Sequence, residues 1–261
     1  MSRTRSRTVR PRFDVLEDRT LLSVSASISA GTLTVTGTSD PEHVKLNDDG
    51  AGSVSVKGTG LSTQNFNGVD KIVINMRGGE DKVTYNLNGA LSTARTINPD
   101  LGDGDNTFTA NIKADLNADL TIDATGGGDD DVMTINSDNV NVAKGVTFKA
   151  DMDGKGGKDT ITTNYSGVLD GTLDLLNKGG DKKDTLKMVL TALDGSTGKV
   201  GKNGDATAVE GNGAGDNLRL EVRVPAGVQV FAEARGNGGK DTCHRTANVT
   251  SSSVNTDFVV V

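Results

Sequence analysis

The residues of this chain best placed for chemistry are aspartates that follow glycine runs. The clearest stretch is Gly154-Lys155-Gly156-Gly157-Lys158-Asp159-Thr160-Ile161, and the same order returns at Gly236-Asn237-Gly238-Gly239-Lys240-Asp241-Thr242-Cys243 and at Gly126-Gly127-Gly128-Asp129-Asp130-Asp131-Val132. Turn carbonyls and carboxylates at this density offer oxygen atoms, the ligands a hard cation such as Ca2+ prefers. The strongest candidate metal set is Asp103, Asp105, Asp129, Asp130 and Asp131, five carboxylates in two consecutive turns that contain no Lys or Arg. Elsewhere Arg77, Lys158, Lys183 and Lys240 lie in or beside the turns and would partly neutralise a site. The metal-free alternative is that Asp and Asn cap turn amides.

Other chemistry is poorly provided for. Cys243 and His244 are adjacent, but neighbours on a strand point to opposite faces and cannot form a thiol–imidazole dyad. Cys243 stands where the repeat has an inward aliphatic, a place cysteine fills as a small hydrophobe. His43 and His244 are the only histidines, both expected to face outward. Asp151 and Asp153 could share a face, as paired carboxylates do in glycosidases. The chain has two tyrosines and no tryptophan, so platforms for stacking sugars are scarce.

The elements that must position these residues read as strands. Apolar residues alternate with polar ones in short runs bounded by Gly, Asn or Asp: Leu33 and Val35, Val44 and Leu46, Val83/Tyr85/Leu87, Ile161/Thr163/Tyr165, Leu186/Met188/Leu190. Helical periodicity is absent, so the fold class is all-β. Anchoring each copy on the acid or amide before its run gives Asp81, Asn106, Asp130, Asp159, Asp184, Asp216 and Asp241, spaced by 25, 24, 29, 25, 32 and 25 residues, with Glu42 a degenerate first copy. One strand–turn–strand unit cannot bury its apolar face alone, but stacked units at about 4.8 Å per layer can. The pattern predicts a parallel β-solenoid (β-helix) of seven to eight coils, roughly 25 residues each, with an antiparallel sandwich as the rival architecture. Glycine, in this reading, serves the sharp turns through positive φ.

The turns resemble the calcium-binding nonapeptide of RTX (hemolysin-type) proteins, Gly-Gly-x-Gly-x-Asp-x-aliphatic. The departures are Thr125 ahead of Gly126, Lys155 and Asn237 in the second place, Lys182 in a later Gly place, and one copy per coil rather than back-to-back copies. The N-terminus resembles the short export motif of planctomycete proteins, an Arg-rich lead (Arg3, Arg5, Arg7, Arg10, Arg12) followed by Leu16-Glu17-Asp18-Arg19-Thr20-Leu21-Leu22, with Asp18 where Pro is usual. These resemblances imply an exported, extracellular or cell-envelope protein. They imply residues 1–29 as a basic targeting segment and 30–261 as a solenoid. The implied role is a non-enzymatic structural or adhesive module, with calcium and a cell-surface or matrix polysaccharide or protein as expected partners. The alternative is a β-helix carbohydrate-active enzyme using outward carboxylates. A net charge of -7 argues against nucleic acid as a partner, and no stretch is long and apolar enough for a membrane span.

Overall fold

The computed structural model describes residues 24–202 and 206–249. The Arg-rich segment with its Leu16–Leu22 motif and the run Val254–Val261 lie outside the described residues. The described residues are all-β, without a helix, and form a β-solenoid of about seven turns with ~25 residues per turn. Successive strands alternate between two sheets. Lys71–Asn75, Arg95–Asp100, Leu120–Gly127, Thr147–Lys155 and Thr172–Gly180 run side by side in the first, and Lys82–Leu87, Thr107–Ile112, Val132–Ser137, Thr160–Gly167, Thr185–Ala192 and Asn217–Val224 in the second. These neighbours pair in parallel, so the sandwich of hairpins is not adopted. A third corner is marked by isolated parallel bridges along Leu91, Leu116, Val142 and Leu169.

Period-two alternation sends every second side chain inward, where equal positions of successive coils stack. In the second sheet one column runs Val44, Val83, Phe108, Met133, Ile161, Leu186, Leu218, all buried. The first sheet faces it with Leu33, Ile72, Ile97, Ile122, Ala150 and Leu175, in the same continuous core.

The N-terminal end is built differently. Ser25–Ser29 pairs antiparallel with Thr32–Thr36, so paired structure begins ahead of residue 30. His43–Asp48, Val54–Gly58 and Leu61–Phe66 form an antiparallel meander at the other sheet's edge. This meander is why Glu42 and Asp81 are 39 residues apart. Beneath it, Arg95 Nε lies 2.7 Å from Asp48 Oδ2, both side chains fully buried, and the Tyr85 hydroxyl donates to the same oxygen at 2.8 Å. Burial pushes the Tyr85 phenol well above its ordinary value.

Candidate functional site

Each coil ends its first-sheet strand in a six-residue turn whose last residue is an acid or Asn: Glu42, Asp81, Asn106, Asp131, Asp159, Asp184, Asp216, Asp241. These side chains form a ladder. The backbone N–H of each rung donates to the side-chain Oδ1 of the next: Glu42 to Asp81, Asp81 to Asn106, Asn106 to Asp131, Asp131 to Asp159, Asp159 to Asp184, Asp184 to Asp216 and Asp216 to Asp241, at 2.7–2.9 Å. A turn would otherwise leave that amide buried without a partner, at a cost of about 1–3 kcal/mol. The Asp side chain removes this cost once per coil.

The rung in the third full coil is Asp131, not the Asp130 expected from the repeat spacing. Met133 and Ile135 therefore face the core, and Val132 is 42% exposed. Three consecutive aspartates fit the pattern equally, but the distance from the first glycine decides. Gly126 precedes Asp131 by the interval that separates Gly154 from Asp159, Gly179 from Asp184, Gly211 from Asp216 and Gly236 from Asp241. That glycine is required for space. A Cβ on Gly126, Gly154, Gly179, Gly211 or Gly236 would collide with Oδ2 of its own coil's rung. None of the five has a positive φ. The left-handed conformation falls instead on the second turn position, where Arg77 (φ 71), Lys155 (φ 73), Asn212 (φ 73) and Asn237 (φ 57) adopt it, and on the fourth, where Gly79, Gly104, Gly157 and Gly239 stand.

The rungs from Glu42 to Asp216 are deeply buried, and among the described residues Oδ2 of Asp81, Asp159, Asp184 and Asp216 lacks any hydrogen-bond partner. Burial raises the carboxyl of Asp81, Asp131 and Asp184 to about 6 and that of Asp159 to about 7, and raises Asp216 as well. Asn106 shows what the second atom of a rung is suited to do. Its Nδ2 donates to the Gly104 carbonyl at 2.7 Å and to the Gly102 carbonyl at 3.3 Å.

The five candidate metal ligands fall in stacked turns, as the sequence suggested, but they are not gathered around one point. Asp131 is a buried rung whose Oδ2 accepts the Gly127 N–H at 2.8 Å. Asp129 accepts the Gly104 N–H at 2.8 Å, Asp105 the Asp130 N–H at 3.1 Å, and Asp130 the Lys158 N–H at 2.7 Å. Asp103 stands exposed. Among the described residues no group of three or more His, Cys, Asp or Glu could hold a metal ion. By themselves these five carboxylates form no metal-holding cluster.

Asp151 and Asp153 are ion-paired, with Lys178 and Lys155 respectively, at 2.9 Å. Cys243 lies in the inward column beside Leu218, yet it is exposed, since it stands in the last described strand of its sheet. His43 and His244 both face outward from the second sheet.

That outer face carries a further array that the sequence reading missed. Asn47, Asn86, Asn111, Asn136 and Asn164 stack in register, each side-chain amide donating to the one before it at 3.1–3.3 Å. Beside them runs a row of Thr84, Thr109, Thr134 and Thr162. The signal was present in the sequence, since each Asn follows its rung by the same interval.

No family model, curated protein or solved structure matches this chain. Among the described residues no helix is long and apolar enough to cross a membrane.

Proposed function

We propose that this is an exported, non-enzymatic structural or adhesive module, a rod that holds a regular surface outside the cell. The observation that carries this reading is the rung ladder. The rung aspartates and Asp105, Asp129 and Asp130 accept backbone amides of a neighbouring coil, and Asp151 and Asp153 pair with lysines, which is not the free carboxylate cluster a β-helix hydrolase or lyase would need. The chain's most regular chemistry holds coils together and leaves the sheet faces available for contact. Export rests on the resemblance of the N-terminal segment. Calcium is not required by this reading, because the turn carboxylates already have amide donors.

Incubation of the full chain with carboxylated and neutral polysaccharides, followed by size-exclusion chromatography of the polymer, tests the reading. Unchanged polymer length is expected. Progressive shortening would overturn it in favour of the carbohydrate-active enzyme.

A further inference from the structure

The outer face of the second sheet differs from the rest of this acidic molecule. At its N-terminal end His43, Lys45, Lys57 and Lys82 line one shallow recess. At its C-terminal end Lys187, Arg219 and His244 line another. Lys45 lies directly across from Lys57, His43 beside Lys82, Lys187 beside Arg219, and Arg219 beside His244. Among the described residues Lys45, Lys57, Lys82 and Lys187 form no ion pair, as Lys71, Lys149 and Lys199 form none on the first sheet, where Lys155, Lys178 and Lys202 are each matched by an aspartate. Glu221 is the acid among these C-terminal cations, and both Arg219 and Arg223 clasp it.

Between the two cationic ends the strands' own outward positions are uncharged, with Lys113 and Asp138 standing just past their ends. Thr107, Thr109 and Asn111, then Val132, Thr134 and Asn136, then Thr160, Thr162 and Asn164 occupy the outward positions of three consecutive strands. From the strand of Lys82 to that of Lys187 is four strand steps, roughly 19 Å at the usual strand spacing.

We propose that this face docks an extended, carboxylated polysaccharide lying along the solenoid axis. The proposal rests on the module reading above and names its partner. Carboxylates at separated sugars meet the Lys45/Lys57/Lys82 and Lys187/Arg219 clusters. Sugar hydroxyls between them meet a Thr hydroxyl and an Asn amide repeated once per coil, a spacing comparable to the length of one sugar unit. Duplex DNA fits less well. It carries one negative charge per roughly 1.7 Å of axis, so the neutral centre would leave its phosphates unmatched and the aspartate-rich turn edge would repel them. Single-stranded nucleic acid would need stacking aromatics, and the outward positions of these strands hold none.

The test is binding of fluorescent polygalacturonate to the full chain at low salt, with neutral dextran and a DNA duplex as comparison probes. Polygalacturonate is expected to bind, with dextran and DNA weaker by about tenfold or more. The exposed triple variant Lys45→Gln/Lys57→Gln/Lys82→Gln should lose about tenfold in affinity as attractive charges are removed, while Lys71→Gln/Lys149→Gln on the opposite sheet leaves it unchanged. Circular dichroism and melting of each variant confirm that the fold is kept. Equal binding by the triple variant, absence of polygalacturonate binding, or tighter binding to DNA would overturn the docking proposal. Polymer that binds but is shortened would overturn the module reading instead, and the two failures are thereby distinct.

Discussion

Gly154 illustrates how much one absent methyl group can decide. Its hydrogen faces the Asp159 carboxylate and the Gly179 carbonyl of the next coil, 2.7 Å from where a Cβ would stand. Gly154→Ala is expected to destabilise the solenoid by about 1–3 kcal/mol, the usual cost of overpacking, although its φ is not in the left-handed region. A denaturant melt of this variant beside Lys155→Gly separates space from conformation. Lys155 has φ 73, so glycine there is expected to be neutral or mildly stabilising. The sequence made the glycines visible and assigned them to positive φ, which holds at Gly79, Gly104, Gly157 and Gly239 but not at the crowded first turn position, because the chain alone does not say which position is left-handed and which is crowded. The rung's identity among Asp129, Asp130 and Asp131 was obscured for a related reason. Identical neighbours are told apart only by the constant five-residue step from the turn's first glycine, Gly126 to Asp131 as Gly154 to Asp159, which makes Met133 and Ile135 the inward pair.

The ladder of rungs has a collective property that no single aspartate has. Burial raises the carboxyls of Asp81, Asp131, Asp159, Asp184 and Asp216, with Asp159 also facing Asp184, Asp131 and Asp130, and Asp216 facing Asp241. Their folded values lie above the ordinary 3.8. The stability they contribute is therefore complete below pH 3.8 and lost as pH rises through about 6 to 7. A protonated rung can donate from the oxygen that otherwise has no partner, as Asn106 does with its amide. Thermal melts are expected to show a higher Tm near pH 4.5 than at pH 8, and a profile flat across this window would refute the protonated rung. Asp159→Asn keeps the acceptor for the Asp131 N–H and supplies a donor, so it should raise Tm at pH 8 and weaken the pH dependence. Asp159→Ala should cost about 1–3 kcal/mol at either pH, through the orphaned amide.

For the whole molecule, a melt in millimolar calcium against one in chelator decides whether the turn edge is a metal edge. Equal Tm values are expected, because Asp105, Asp129 and Asp130 each accept a turn amide. A ligand binding only the folded chain would shift Tm upward with concentration, and such a rise would bring the ion-cage reading back. The architecture itself was legible: alternating aliphatics and a turn recurring near 25 residues admit few ways of burying a face other than stacking. The N-terminal meander was not legible, because Val54 and Val56 carry the same alternation whether their strand pairs in parallel or antiparallel. The Asp48–Arg95 pair was hidden likewise, since nothing local tells a lysine- or arginine-bearing strand that its charge will be turned inward. The ladder also shows that the interval between rungs is fixed in space but not along the chain: 25 residues separate Asp159 from Asp184, 28 separate Asp131 from Asp159, and 32 separate Asp184 from Asp216. Length can thus be edited in whole steps. Excising residues 160–184 joins Asp159 to Thr185, leaves Asp159 poised beneath Asp216, and is expected to give a shorter rod that still melts cooperatively, whereas a cut one residue longer or shorter within a strand exchanges that strand's inward and outward faces. Inheritance in such a molecule proceeds by the coil, and gain or loss of reach is a matter of counting.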